Sequence, residues 1–277
     1  MTELLALGSA VTFGMADFAG GVASRRAEPI RVTALAQVAS AVTLIPLVAL
    51  VGSTTVTAAN LAWGAGSGVF GMLGILALFS GLSRGPMGVV APVTSVLSAV
   101  VPLAVGLALG ERPSAVAILG MVLGLGAIIA VSAAGTPAER IDRYSLLAAV
   151  AAGLGFGLFF VFIGQTSAEA GMWPLVTARA VSVPLILLLA SVRGGIWPRR
   201  EARGLAVSCG FVDMLANGLF TAAAQRGLLS VAAVLSALYP VVTVLLAWVI
   251  LHERLGRIQL GGVVAAVVAV AVIGLAG

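Results

Sequence analysis

Residues 84–112 read RGPMGVVAPVTSVLSAVVPLAVGLALGER, and residues 226–254 read RGLLSVAAVLSALYPVVTVLLAWVILHER. The second stretch lies 142 residues after the first, and at this shift Glu111-Arg112 falls on Glu253-Arg254. The Arg-Gly pairs that open the two stretches fall on each other as well. Apolar matches mean little in so apolar a chain, but two charged or basic pairs in one register indicate an internal repeat.

The composition indicates a membrane protein. Hydrophobic residues make up 61% of the 277 residues and charged residues 9%, whereas soluble domains contain about 25% charged residues. So few charges cannot cover a water-facing surface, and most of the surface must therefore face lipid. The net charge of +5 comes from arginines that lie mostly between the apolar segments. This pattern favours a role in membrane topology and argues against binding to nucleic acid.

Ten segments are apolar enough to cross a bilayer, for which a helix needs about 20 residues. Residues one repeat apart are separated by five crossings. Because five is odd, the two halves, residues 1–135 and 144–277, are expected to have opposite orientations. We therefore predict an all-α integral membrane protein of ten transmembrane helices, built as two inverted five-helix repeats, with a kink at Pro240 in the ninth helix. The ten segments are residues 3–22, 30–51, 60–82, 87–108, 113–134, 144–164, 172–192, 203–226, 231–251 and 257–276.

Inverted repeats are typical of secondary transporters, and a channel is the alternative. An enzyme is not expected, because the acidic residues at membrane depth stand apart from one another. A single histidine, His252, and a single cysteine, Cys209, cannot form a multi-ligand zinc site. The sequence also has no phosphate-binding Gly-x-x-x-x-Gly-Lys loop. We predict no catalytic residue, no metal and no cofactor.

The chain resembles the EamA-type transporters of the drug/metabolite transporter superfamily. The resemblance rests on Gly110-Glu111-Arg112 after the fourth helix, on His252-Glu253-Arg254-Leu255 after the ninth, and on the stretch Ser236 to Trp248. It implies transport, with export favoured, of small metabolites such as amino acids or related amines by alternating access through a central cavity. A flippase for lipids or lipid-linked intermediates remains an alternative. The fourth helix departs from the pattern because it lacks a Tyr-Pro pair.

The arginines are distributed unequally over the two faces of the membrane. With ten crossings, twelve lie on one face and two on the face that holds both termini, and Arg179 lies inside a helix. The positive-inside rule then places the termini outside the cytoplasm, whereas the family resemblance implies termini inside. Either way, the bacterial cytoplasmic membrane is the expected location. The expected partners are a small-molecule substrate and membrane lipids. Coupling to a proton is left open, and so is the choice between a monomer and a homodimer.

Three ionisable residues are expected at membrane depth: Asp17, Arg179 and Asp213. A charge there costs about 2.5–3.5 kcal/mol on insertion scales, so each is a candidate for function. Asn217 lies one helical turn after Asp213, and we expect their shared face to line the cavity. Asp213 could bind a substrate amine, carry a proton, or form a structural ion pair with Arg179. Asp17 is expected towards the membrane interface, where capping and pathway roles are both open.

Four further residues complete the candidate set. Gln37 falls on Arg179 at the 142-residue shift, so both halves place a long polar side chain at the same depth. Arg179 could bind a substrate carboxylate or neutralise a neighbouring acid. Tyr239, beside the proline of the ninth helix, is expected to face the cavity. For Glu111 and Glu253, pairing at helix ends is favoured over substrate contact.

Overall fold

The computed structural model describes residues 1–85, 87–132, 142–251 and 257–274. Within these ranges the chain is helical and contains no strand. A short 3-10 turn covers Ala168–Ala170. The helices are α1 (Thr2–Arg26), α2 (Pro29–Val51), α3 (Ala58–Arg84), α4 (Met87–Ala108), α5 (Ala115–Ser132), α6 (Arg143–Gly164), α7 (Trp173–Val192), α8 (Arg200–Ala224), α9 (Leu229–Ser236), α10 (Tyr239–Leu251) and α11 (Arg257–Gly274).

Seven helical segments in the described ranges are long and apolar enough to cross a membrane. They correspond to α1, α2, α3, α6, α7, α8 and the combined segment Leu229–Ile250, which contains α9 and most of α10. Three shorter apolar stretches, Val93–Ala108, Ala115–Ala130 and Leu260–Ile273, lie in α4, α5 and α11. By length and composition the chain is therefore an all-helical integral membrane protein.

The ninth predicted helix, residues 231–251, is broken in two. The first part ends at Ser236 and the second begins at Tyr239, so the break falls just before Pro240. Proline lacks an N–H, and its ring clashes with the carbonyl four residues earlier, here that of Ser236. The break leaves the carbonyl of Ala237 free, and the hydroxyl of Ser95 on α4 donates to it. The predicted kink at Pro240 therefore takes the form of a two-residue interruption, and Leu229–Ile250 still forms one candidate membrane span.

The two halves pack through reciprocal contacts. Helix α3 packs along α6 and α7, and the helices one repeat away from these, α8 with α1 and α2, pack in the same way. A Cβ atom on Gly68 would lie 2.7 Å from Cα of Ala178, and one on Gly210 would lie 2.7 Å from the carbonyl carbon of Ala36. The 142-residue shift converts one contact into the other. Only glycine allows such close helix crossings, and their reciprocity is that of a two-fold interface.

Two pairs of residues one repeat apart contact each other directly. Arg179 donates a hydrogen bond to Gln37, and Ser95 donates one to the carbonyl of Ala237, each pair being separated by 142 residues. In a two-fold arrangement, a residue meets its own equivalent only at the axis. The pseudo-two-fold axis between the halves therefore passes through both contacts.

Candidate functional site

A narrow cavity with a volume of about 30 Å³ lies between the halves, beside the contact of Gln37 with Arg179. Its walls come from α1, α2, α3, α6, α7, α8 and α10. The structure brings together Asp17, Gln37, Arg179, Asp213, Asn217 and Tyr239, which are all six pathway residues that the sequence predicts. The other lining residues, which sequence reasoning missed, are Phe13, Gly71, Ile75, Phe156, Phe159 and Phe160.

Arg179 is the centre of a polar network in the cavity wall. Its Nη1 donates to Oε1 of Gln37 over 2.8 Å, and its Nη2 donates to Oδ2 of Asp213 over 2.9 Å. The hydroxyl of Ser40 donates to the same Asp213 oxygen over 3.3 Å, and that of Ser182 donates to Gln37 over 3.2 Å. The side chains of Arg179 and Asp213 are only 8% and 14% exposed. The ion pair is therefore largely removed from water, and its two charges compensate each other.

The glycine crossings fix the geometry of this network. Gly210 packs on α2 at the residue before Gln37, and it lies three residues before Asp213 on α8. The equivalent glycine, Gly68, packs on α7 at the residue before Arg179. Two close helix crossings between the halves thus stand beside the three polar side chains. A shift of either helix crossing would change the distances within the network.

Asp17 stands apart from the network. It is 8% exposed and lines the cavity from α1. It does not lie at the end of its helix, because α1 continues for nine residues beyond it, to Arg26. Within the part of the chain that the structure describes, its carboxylate has no hydrogen bond and no ion pair. The cavity therefore contains a carboxylate without a partner.

Aromatic rings form another part of the cavity wall. Phe13 lies one turn before Asp17, and its ring centroid is 6.1 Å from that of Phe160 and 6.4 Å from that of Tyr239. The rings of Phe159 and Phe160 pack edge to face at 5.6 Å. The side chain of Tyr239 is buried, with its hydroxyl near the hydroxyl groups of Ser95 and Ser98 on α4. The sequence signal for this wall is the run FGLFFVF at residues 156–162.

Asn217 lines the cavity but uses its side chain locally. Its amide donates to the backbone carbonyl of Asp213 over 2.7 Å, four residues earlier on α8. This bond orients the amide along the helix. Among the described residues, no group of three His, Cys, Asp or Glu side chains could hold a metal ion. The described lining is instead suited to an organic ligand, since it combines a few polar groups with aromatic rings.

The two halves also match a known family. The profile of the EamA-like transporter family matches residues 1–133 and, a second time, residues 143–275. The chain belongs to the EamA-like transporter family. It is thus a membrane transporter of the drug/metabolite transporter superfamily, as the sequence motifs predict. No curated protein matches the chain. A solved crystal structure has the same fold, with a TM-score of 0.73 and 20% identity over 99% of this chain and 96% of that chain.

The EamA motif residue Glu111 binds the start of α9. Its Oε1 accepts the N–H of Leu229 over 2.7 Å, and its Oε2 accepts the N–H of Ser230 over 3.0 Å. These N–H groups have no partner within their own helix, and the positive end of the helix dipole favours a carboxylate there. Glu111, which follows α4 of the first half, thus pairs with the N-terminal end of α9 in the second half. Glu253 lies outside the described residues.

Further hydrogen bonds tie the halves at the same end of the EamA bundle. Asn60 at the start of α3 exchanges two bonds with Ser167, of 3.2 and 3.0 Å. Within the second half, the side-chain amide of Gln225, which follows α8, donates to the hydroxyl of Thr166 over 3.0 Å. This bond links the loop before α9 to the loop before α7. The bonds of Asn60 and of Glu111 join the two halves where α3 and α9 begin.

Proposed function

We propose that this EamA-family chain is a secondary transporter of small metabolites, such as amino acids or related amines, with export as its direction. In this proposal it crosses the membrane ten times, as two inverted five-helix halves, and works by alternating access through the central cavity. The supporting observation is the network of Gln37, Arg179 and Asp213, which is buried at the pseudo-two-fold axis. Ionised side chains at membrane depth are costly and typically mark a substrate or ion pathway.

Alternating access requires a binding site that both halves share. A contact on the axis, such as that of Gln37 with Arg179, would keep its place when inverted halves exchange conformations. The two ends of the bundle would open and close in turn around it. The hydrogen bonds of Glu111 and Asn60 hold one end together, so opening that end requires them to break.

We propose that Asp213 takes part in the handling of the substrate amine or of a coupling proton. Its Oδ2 accepts hydrogen bonds from Arg179 and Ser40 in the wall of the cavity. Asp17 and Tyr239 are the other titratable groups that line this cavity. A proton or an ammonium group that enters the cavity would therefore meet the carboxylate of Asp213 there.

For the location, we propose the bacterial cytoplasmic membrane, with both termini outside as the arginine distribution predicts. A monomer suffices for function in this proposal, because the duplicated chain supplies both halves. Reporter proteins that are active on only one side of the membrane, fused after Gly277, test the orientation. Activity of a cytoplasm-specific reporter at this position would contradict it.

The proposed function is tested in proteoliposomes. Uptake and efflux of amino acids and related amines are measured with and without a pH gradient, for the unchanged chain and for Asp213→Asn. We expect at least one compound of this panel to move, and the gradient-driven component to disappear in Asp213→Asn. Glu201→Gln is the matched control, because it removes an exposed carboxylate from the start of the same helix, α8. It should transport like the unchanged chain.

The outcomes separate the role of Asp213 from the function itself. If transport proceeds equally in Asp213→Asn, the residue is structural and Arg179 and Tyr239 become the candidates for substrate contact. If no member of the panel moves in either protein, the proposal of amino-acid or amine transport is wrong.

A flippase is the second candidate, and one observation favours it. An apolar groove runs along the outer surface between α3 and α6, and Leu73, Leu147 and Leu158 contribute to its walls. The same two helices line the cavity through Ile75 and Phe156. Separation of α3 from α6 would therefore join the cavity to the lipid. Translocation of a fluorescent phospholipid in the same proteoliposomes, detected by quenching in the outer leaflet, tests this candidate.

A further inference from the structure

The cavity has an excess of negative charge. The described residues that line it include two carboxylates, Asp17 and Asp213, and one guanidinium, that of Arg179. Arg179 is already engaged, with Nη1 on Gln37 and Nη2 on Asp213. The nine-tenths buried carboxylate of Asp17 has neither a cation nor a hydrogen-bond donor within the described chain. One formal negative charge therefore lacks a partner when all three groups are ionised.

The surroundings of Asp17 suit an organic cation. Phe13 projects from the same face of α1, one turn earlier, and its ring packs against Phe160 and Tyr239. Ammonium groups bind well where a carboxylate and aromatic faces converge, because the ring quadrupole adds to the attraction of the charge. The buried side chain of Tyr239 adds a hydroxyl group to this wall.

We propose that the cavity selects a monovalent organic cation with an apolar or aromatic body and without a free carboxylate, and that Asp17 binds its ammonium group. This inference rests on the proposed transport function and narrows its substrate class. A carboxylate on the substrate would need the guanidinium of Arg179, which Asp213 and Gln37 already occupy. Displacing Asp213 would leave a buried acid unpaired, so zwitterions and anions are disfavoured.

Three probe molecules that share a phenyl ring test this selectivity. Phenethylamine carries a positive charge, phenylalanine is a zwitterion, and 3-phenylpropionate carries a negative charge. Their binding to the purified full chain in detergent is measured by isothermal titration. We expect phenethylamine to bind at least tenfold more tightly than phenylalanine, and 3-phenylpropionate to bind most weakly.

Variants assign the selectivity to named residues. Asp17→Asn should weaken phenethylamine binding at least tenfold, and Asp17→Glu should restore most of it. Asp213→Asn should improve binding of phenylalanine and 3-phenylpropionate, because it frees the guanidinium of Arg179. Glu201→Gln is the control, and it should bind all three probes like the unchanged chain. Gel filtration checks that each variant remains folded.

Three results would overturn the inference. The first is that phenylalanine binds as tightly as phenethylamine or more tightly. The second is unchanged phenethylamine binding in Asp17→Asn, and the third is absence of phenethylamine binding in the unchanged chain. None of these binding results refutes the proposed transport function. If Asp17→Asn still transports a zwitterion or an anion, only the proposed substrate class is refuted. Absence of any transport would refute the proposed function instead.

Discussion

The crossing of α8 with α2 should tolerate no side chain at Gly210. A Cβ atom there would lie 2.7 Å from the carbonyl carbon of Ala36, and still closer to its oxygen. Ordinary contacts begin at 3.4 Å, so Gly210→Ala must push the two helices apart by at least about 0.7 Å. The obstacle is backbone, which cannot rotate away as the end of a long side chain can. Because Gln37 follows Ala36 in the chain, the same displacement should lengthen the hydrogen bonds to Arg179.

The energetic cost follows from two opposing effects. Overpacking of a close contact typically costs about 1–3 kcal/mol. Alanine has a higher helix propensity than glycine, which offsets up to about 1 kcal/mol of this cost. We therefore expect Gly210→Ala to lower the free energy of unfolding by about 1–2 kcal/mol. Gly68→Ala should cost a similar amount, because Gly68 makes the equivalent contact with Ala178.

The assay is thermal unfolding in detergent micelles, followed by tryptophan fluorescence, together with transport in proteoliposomes. Gly204→Ala is the matched control, because Gly204 lies on the same helix and a Cβ there meets no atom within 4 Å. It should leave the protein as stable as before or stabilise it slightly. If Gly210→Ala and Gly204→Ala have the same melting temperature and the same transport rate, the close crossing does not hold the network in place.

Three further variants test the polar contacts. Arg179→Met should lower stability by about 3–5 kcal/mol because it leaves the buried Asp213 without its cation, and adding Asp213→Leu should recover part of the loss in thermal unfolding. Glu111→Ala should cost about 0.5–2 kcal/mol and speed hydrogen exchange at the start of α9, measured by mass spectrometry. Ser95→Ala should cost about 1–3 kcal/mol because it deprives the carbonyl at the helix break of its donor. Ser98→Ala, whose hydroxyl donates to the carbonyl of Ser95 in the same helix, should have a smaller effect on the melting temperature.

The sequence predicts the polar half of the cavity well. Charged and amide side chains are so rare in apolar helices that Asp213, Arg179 and Gln37 are visible by inspection, and the repeat register pairs the last two. The hydrogen bond between Gln37 and Arg179 can be predicted from the repeat only if the pseudo-two-fold axis is known to pass between them. Sequence alone does not locate the axis, because equivalent positions far from it never meet.

Other features have no such signal. Phe159 belongs to a run of apolar residues in α6, and nothing in that run tells which ring faces the cavity and which faces lipid. Gly210 is one of 35 glycines, and only the packed structure shows that its helix crossing is tight. The sequence does not show that α1 extends beyond its apolar stretch, to Arg26, which leaves Asp17 nine residues before the end of the helix. A proline in a membrane helix indicates a kink, but not that the helix is interrupted at Ala237 and Leu238.

Residues on a pseudo-two-fold axis cannot remain identical if they are charged. Gln37 and Arg179 are equivalent in the repeat and hydrogen-bond each other over 2.8 Å. Two arginines at that distance would repel each other in a medium of low dielectric constant, and two glutamines would leave Asp213 without a cation. One cation facing one neutral acceptor satisfies both demands. Sequence divergence at this pair therefore follows from the axis itself.

The same asymmetry extends over the whole cavity. At each of three further pairs of equivalent lining positions, one half carries a polar side chain and the other an apolar residue or glycine. If each pair carried its polar residue in both halves, the cavity would hold four carboxylates around the axis. The helix packing of the halves is thus reciprocal, whereas the chemistry of the cavity wall is one-sided. The pairs are Asp17 with Phe159, Gly71 with Asp213, and Ile75 with Asn217.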